Sequence, residues 1–302
     1  MKKLKYLVMA AIAAVVFACG TTRTVPITGR KQNILVSDEQ VLSLSNQEYT
    51  NYMKSAKLST NSANTAMVKR VGQRLATAVE TYLNEHAMAA DAKEYSWEFN
   101  LVQDKSVNAF CMPGGKIVVY EGLLPITQDE ASLAIVLGHE IAHAVAKHSA
   151  EQMSKQIKNQ YGTQILGQVL NAAGVSSSTT QLAQIIAQKG LQFRSLKYSR
   201  DNESEADHMG LIFAAMAGYD PNVAVTFWQR MAQATGSNNQ SDIFSDHPSD
   251  AKRIAAIKQE LPEALTYYKP VKTTTTTKKT TTSTKKKTRT TSKKKKTTTR
   301  RK

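Results

Sequence analysis

Residues 139–143 read His-Glu-Ile-Ala-His, and this segment decides how the rest of the chain is interpreted. It lies in a largely apolar stretch, from about Asp129 to His148, whose periodicity predicts a helix. Residues four apart on a helix project from one face, so both imidazoles can reach one metal ion. A glutamate beside the first histidine can take a proton from an activated water molecule. The pattern favours a zinc site over a helix that carries two histidines by chance.

A catalytic zinc ion usually has three protein ligands and one open position, so a third ligand must come from elsewhere. The segment SRDNESEADHMG, residues 199–210, offers acidic side chains in a helical pattern. Glu203 and Asp207 are four apart and share a face, whereas Glu205 points about 200° away from Glu203. We predict that Glu203 is the third ligand and that Asp207 orients His139. The alternative is a solvated helix start, with acids near the positive end of the dipole.

His148 is a less suitable ligand candidate. It follows His139 by nine residues, and on one continuous helix it would point about 180° away. It is interpreted as a histidine at a helix end, where the helix dipole favours positive charge.

These segments resemble the HtpX, BepA and CAAX prenyl protease group of gluzincin zinc peptidases, and most of all its small bacterial lipoprotein members. The resemblance also rests on NAFCMPGGKIVVYEGLL at residues 108–124 and on DHPSDAKRIAAI at residues 246–257. It implies an α+β, zincin-like domain that is mainly helical, with a small sheet beside the metal-binding helix. It further implies one Zn²⁺ per chain held by His139, His143 and Glu203, with Glu140 as the catalytic base.

The same resemblance assigns roles that spacing does not show. His247 matches a histidine near the metal, which would donate to a developing oxyanion or fill the open coordination position. Arg253 would support it. The alternative is that His247 caps a loop and Arg253 makes a surface ion pair. Lys116–Tyr120 matches the strand before the metal helix, and its edge would pair with an extended peptide substrate.

The N-terminal residues have the layout of a secretory signal, with lysines, a short apolar run and small residues. Residues 1–18 are predicted to be this signal, and Cys19 the site of lipid attachment after cleavage. Ordinary secretion with an incidental cysteine is the alternative. Residues 19–36 are predicted to be a lipidated tether, and residues 37–268 the peptidase domain. Cys111 then has no disulfide partner.

Most of the net charge of +16 lies in one segment, because residues 269–302 contain 15 Lys and Arg and no acid. This Lys/Thr-rich tail has too little apolar surface to offset the entropy of ordering and is predicted to be disordered. It contains no aromatic side chain, so stacking on bases is excluded and no specific nucleic acid is expected. Anionic polymers of the cell envelope are the expected partner of the tail.

The periodicity also locates the main elements. Strands are predicted at residues 97–102, 107–112 and 116–120. Helices are predicted near residues 38–56, 63–86, 153–169, 181–193, 201–216, 221–234 and 248–260, with a polar loop at Gly174–Thr180.

The motif predicts a metalloendopeptidase, and the resemblance implies that it cleaves misfolded or misassembled envelope proteins. Its expected place is the bacterial cell envelope, at the periplasmic face of the outer membrane, with the lipid on Cys19 as the membrane contact. Two other functions remain open at this point. One is a chaperone-like role in envelope assembly, and the other is a surface protein that binds anionic polymers with little or no proteolysis.

Overall fold

The computed structural model describes residues 21–171, 193, 196–235 and 251–270. Within these residues the α-helices are α1 (Asp38–Ser55), α2 (Ser62–Glu85), α3 (Ala89–Ala92), α4 (Leu124–Thr127), α5 (Glu130–Val145), α6 (His148–Asn171), α7 (Arg200–Met216), α8 (Val223–Thr235) and α9 (Ala251–Tyr267). The strands of the same residues are β1 (Thr21–Thr24), β2 (Lys31–Ile34), β3 (Glu98–Val102), β4 (Ala109–Met112) and β5 (Lys116–Tyr120). The predicted α+β class is confirmed. None of the described helices combines the length and apolar character that a membrane crossing needs.

The three-stranded sheet has the order β3–β5–β4, with β5 in the centre. β5 runs parallel to β3 and antiparallel to β4, and all five of its residues are buried. Gly114 and Gly115 form the β4–β5 turn with φ values of 83° and 84°, which glycine adopts without strain. The expectation that Lys116–Tyr120 offers a free edge is wrong, because both edges of this strand are paired. β4 is the outer strand that packs against α5.

α5 and α7 contact each other backbone to backbone at two glycines. A Cβ atom on Gly138 would lie 2.7 Å from the carbonyl oxygen of Gly210, and a Cβ on Gly210 would lie 2.7 Å from the backbone nitrogen of His139. Only glycine at both positions permits this approach. Because Asp207 precedes Gly210 by about one turn, the contact brings the acidic face of α7 beside the histidine motif.

The N-terminal residues of the described chain form an antiparallel hairpin of β1 and β2. Val25 and Ile34 are buried in the hydrophobic core. The side-chain amide of Gln32 donates a hydrogen bond to the backbone carbonyl of Ala146 at 2.9 Å. The prediction of a tether over residues 19–36 is therefore wrong for its described part, because the hairpin packs onto the domain.

Candidate metal centre

α5 carries the two motif histidines into the middle of the core. Asp129 caps the N-terminus of the helix, and its carboxylate accepts a hydrogen bond from the backbone N–H of Ser132 at 2.7 Å. Every residue from Ser132 to Val145 is buried, as expected for a helix that is apolar on all sides. His139 and His143 are only 3% and 1% exposed, so protein atoms rather than bulk water surround their rings.

α7 presents carboxylates to α5. It begins with a capping box, in which the backbone N–H of Asn202 donates to the Ser199 hydroxyl and the backbone N–H of Ser199 donates to the Asn202 side chain. Glu203 lies in the first turn, where the positive end of the helix dipole stabilises a negative charge. Glu203 and Asp207 are both buried and lie on the face that packs against α5.

His139, His143 and Glu203 converge on one point. The Nε2 atoms of the two histidines are 3.1 Å apart, and each lies 3.4 Å from a carboxylate oxygen of Glu203. Ligands about 2.0–2.1 Å from a tetrahedral zinc ion are separated by roughly 3.3 Å. Two imidazoles and one carboxylate at these separations therefore fit Zn²⁺, and the set matches the ligands predicted from the sequence.

Asp207 and Arg253 support His139 from the side opposite its Nε2 atom. The Nδ1 atom of His139 lies 2.9 Å from an Asp207 carboxylate oxygen. Arg253 donates to both oxygens of Asp207, at 2.6 and 2.7 Å, and its guanidinium stacks on Trp228 with 3.6 Å between Cζ and the ring centroid. Arg253 is only 8% exposed, so the alternative of a surface ion pair is wrong.

This charge arrangement shifts the pKa values of both partners. Burial and the Arg253 charge lower the pKa of His139, but hydrogen bonds with Asp207 and Glu203 outweigh them and raise it to about 9. Burial would raise the pKa of Asp207, but the charge of Arg253 and the hydrogen bond with His139 lower it below its ordinary value. Asp207 thus remains an anion that accepts a hydrogen bond from the Nδ1–H of His139, which leaves Nε2 to face the candidate metal position.

Glu140 is buried at 3% exposure, one residue after the first histidine. Burial raises the pKa of the Cys111 thiol on β4, and the charge of Glu140 raises it further. Burial likewise raises the pKa of Tyr198, again with a contribution from Glu140. The Tyr198 ring stacks on His143 with 4.1 Å between centroids. Tyr198 was not predicted as part of this site, because no motif or helical spacing in the sequence points to its contact with His143.

His148 does not point away from the site. α5 ends at Val145, and Lys147 adopts a φ of 53°, so the chain turns before α6 starts at His148. The His148 side chain is fully buried, and its Nδ1 lies 2.8 Å from the Nδ1 of His143. The interpretation as a helix-end histidine is therefore wrong, because it assumed one continuous helix across Lys147.

Glu205 holds the other nitrogen of His148, and the hairpin holds Glu205. The Nε2 of His148 lies 2.8 Å from a Glu205 carboxylate oxygen. The guanidinium of Arg30, between β1 and β2, donates to Glu205 and also to Glu151 on α6. Burial would raise the pKa of Glu205, but hydrogen bonds from His148 and Arg30 lower it to about 2. The sequence did not indicate these contacts.

Two site residues predicted from the sequence, His247 and Cys19, lie outside the described residues. The same is true of the signal at residues 1–18, the loop at Gly174–Thr180, most of the predicted helix at 181–193, and the tail beyond residue 270.

Comparisons with known proteins agree with the fold and the site. A family model described as Peptidase family M48 matches residues 69–261. The mitochondrial metalloendopeptidase OMA1 of Schizosaccharomyces pombe is 41% identical over 172 residues, which cover 57% of this chain and 48% of that protein. The mitochondrial metalloendopeptidase OMA1 of Homo sapiens is 31% identical over 244 residues, covering 80% of this chain and 46% of that protein. The beta-barrel assembly-enhancing protease of Escherichia coli O157:H7 is 29% identical over 186 residues, covering 58% of this chain and 37% of that protein.

Two packed helices that bring two histidines and a distant glutamate to one point define a metallopeptidase-type centre. The chain belongs to peptidase family M48, since the matching family model covers more than half of its residues. This confirms the resemblance inferred from the sequence. The chain spans about half the length, or less, of these curated relatives.

Proposed function

We propose that this chain is a zinc-dependent endopeptidase. The observation that carries the proposal is the convergence of His139, His143 and Glu203, with ligand atoms 3.1–3.4 Å apart. That spacing suits one tetrahedral ion and leaves a position for water, as catalytic zinc sites require. When bound, Zn²⁺ supplies a Lewis acid that lowers the pKa of a water molecule and polarises a carbonyl group.

The residues around the ligands divide the remaining work. Glu140 is the general base, which accepts the proton of the attacking water and passes it to the leaving amine. Asp207 fixes the tautomer and orientation of His139, and Arg253 keeps Asp207 ionised and in place. His247 is proposed to approach the metal position and to donate to the developing oxyanion. Two points support this role for His247. It matches a histidine near the metal in the family that the sequence resembles, and Arg253, which follows it by six residues, lies beside the candidate metal centre.

An extended peptide substrate is proposed to pair with β4. The backbone N–H of Tyr120 donates to the carbonyl of Asn108, and hydrogen-bonded pairs alternate along an antiparallel ladder. The backbone groups of Ala109 and Cys111 therefore point away from β5. Strand addition at this edge uses main-chain hydrogen bonds, which suits a protease that accepts many sequences.

The substrates are proposed to be misfolded or misassembled proteins of the bacterial cell envelope. The signal-like residues 1–18 and the lipid-attachment sequence around Cys19 support an anchored lipoprotein at the periplasmic face of the outer membrane. A bacterial relative named for β-barrel assembly supports the same compartment. The basic tail is proposed to bind anionic envelope polymers without base-specific contacts.

The test is a comparison of the wild-type chain with Glu140→Gln in zinc analysis and casein digestion, each with and without a chelator. Wild-type protein should bind one zinc ion and cleave casein, and the chelator should abolish cleavage. Glu140→Gln should retain zinc and lose about 10²–10⁴-fold in cleavage rate, because its amide accepts no proton. Cleavage at the wild-type rate by Glu140→Gln contradicts the assignment of the base. If wild-type protein with bound zinc cleaves no unfolded protein, a role in envelope assembly without proteolysis takes its place.

A further inference from the structure

The second ligand histidine has a support of its own, built from parts of the chain far apart in sequence. The Nδ1 of His143 contacts the Nδ1 of His148 at 2.8 Å, and the Nε2 of His148 contacts Glu205 at 2.8 Å. Glu205 in turn accepts hydrogen bonds from the Arg30 Nε at 2.9 and 3.0 Å and from the Thr28 hydroxyl at 2.5 Å. These contacts form an unbroken path from the Nδ1 atom of His143, its nitrogen away from the metal position, to the N-terminal hairpin.

The direction of each hydrogen bond follows from metal binding. A neutral histidine that binds a metal through Nε2 carries its proton on Nδ1. The Nδ1 of His143 therefore donates, and the Nδ1 of His148 accepts. His148 must then carry its own proton on Nε2, which points at the Glu205 carboxylate. Every group on the path has a partner of the right kind, and only one arrangement of protons satisfies all of them.

The residues behind His143 are arranged like those behind His139, with a carboxylate of α7 paired with an arginine. His139 is held by Asp207 of α7, which is paired with Arg253 of α9. His143 is held, through His148, by Glu205, which lies on α7 two residues before Asp207. Glu205 is paired with Arg30 of the hairpin. Residues that fix the orientation of a ligand histidine normally tune metal affinity as well.

We propose that His148, Glu205 and Arg30 are positioning residues for the metal ligand His143, so that the β1–β2 hairpin is a working part of the metal centre. The inference rests on the zinc site of the proposed function. Arg30 acts through Glu205 and does not approach the metal position itself. Its second carboxylate partner, Glu151, lies 2.9–3.0 Å from the guanidinium and fixes it against α6.

The competing explanation is that this network only stabilises the fold. Removal of a purely structural ion pair lowers the unfolding midpoint. It leaves the zinc affinity and the ligand geometry of the folded protein unchanged. Zinc affinity and the visible spectrum of the Co²⁺-substituted protein therefore separate the two explanations. Both readouts are independent of peptidase activity.

The experiment measures zinc affinity by chelator competition, and the Co²⁺ spectrum, in the full chain. The variants are His148→Ala, Glu205→Ala, Arg30→Ala and Arg30→Lys. Arg23→Ala is the matched control, because Arg23 lies on the same hairpin with similar side-chain exposure, 30% against 32%, and pairs with Asp38 and Asp91 instead.

The first two variants should weaken zinc binding about 10- to 100-fold and shift the Co²⁺ spectrum. Arg30→Ala should weaken it about tenfold, Arg30→Lys should recover part of the loss, and the control should match wild type. The Arg30 side chain is a third exposed, so Arg30→Ala is expected to fold. Arg30→Ala therefore provides the test if His148→Ala fails to fold.

Affinities within twofold of wild type in Arg30→Ala and Glu205→Ala, with unchanged Co²⁺ spectra, overturn the inference alone. A wild-type chain that binds no zinc overturns both the inference and the proposed function. Loss of affinity in Arg23→Ala equal to that in Arg30→Ala also overturns it, because the effect would then come from the hairpin as a whole.

Discussion

The two histidines of α5 that we propose as metal ligands have supports of similar composition but different burial. On the α9 side, Arg253 and Asp207 are both under a tenth exposed, and Asp207 contacts His139 directly. On the hairpin side, Arg30 is a third exposed, and a further histidine stands between the carboxylate and His143. The deeply buried pair is costly to break, whereas the partly exposed one is weaker and adjustable. From this difference in burial we expect the α9 side to contribute more to stability, and the hairpin side to act mainly on zinc affinity, as proposed above.

The largest effect is expected from breaking the buried pair. Arg253→Met leaves the Asp207 anion buried without its cation, so the free energy of unfolding should fall by about 3–5 kcal/mol in urea titration. Adding Asp207→Asn should recover part of this loss, because the uncompensated charge is removed. A double variant less stable than Arg253→Met contradicts this account of the pair.

Gly210→Ala should affect both sides at once, because α7 carries both carboxylates. The new Cβ would lie 2.7 Å from the backbone nitrogen of His139, which cannot move without shifting α5. The expected cost is about 1–3 kcal/mol in unfolding free energy, with weaker zinc binding. Unchanged zinc affinity in Gly210→Ala would show that the close approach is not needed.

These two sides also differ in how far the sequence predicts them. Helical periodicity depends only on residues close together in the sequence. The spacing of four therefore predicted that His143 shares a helix face with His139, and Asp207 with Glu203. Glu205 was placed correctly on a different face, but its partner Arg30 lies 175 residues away and has no periodic signal. The fold class and most helix positions were predictable for the same local reason.

The remaining errors come from non-local geometry. His148 was misplaced because the break at Lys147, a non-glycine residue with positive φ, has no sequence signature. The position of β5 in the centre of the sheet depends on parallel pairing with β3, which chain order does not specify. The hairpin at residues 21–34 was missed because its polar composition is also typical of a linker.

A smaller effect is expected from Arg30→Ala on acid stability. Burial would raise the pKa of Glu151, but hydrogen bonds from Arg30 and Lys155 lower it to about 2 from an ordinary 4.5. A carboxylate with a lowered pKa stabilises the fold above its unfolded-state pKa, and this contribution is lost as the pH falls through the folded-state value. Removing Arg30 should raise the Glu151 pKa and so move acid unfolding to higher pH.

The loss near neutral pH should be on the order of 1 kcal/mol, since Arg30 is partly solvated. Circular dichroism during acid titration measures the midpoint. A midpoint equal to that of wild type, or lower, contradicts the proposed contribution of this ion pair.

The smallest effect is expected from Arg23→Ala. Its partners Asp38 and Asp91 also contact Lys147, so one cation remains after the substitution. Stability should change by less than about 1 kcal/mol, with no change in zinc affinity. Urea titration and chelator competition check this, and a loss as large as that of Arg253→Met contradicts the ranking of the two sides.

Zinc stoichiometry in the wild-type chain and in Glu203→Ala tests the central claim most directly, because Glu203 is the only proposed ligand outside α5. Elemental analysis should find one zinc ion per wild-type chain and little or none in Glu203→Ala after dialysis. An absence of zinc from the wild-type chain, or full occupancy in the variant, contradicts the claim that two imidazoles and this carboxylate share one ion.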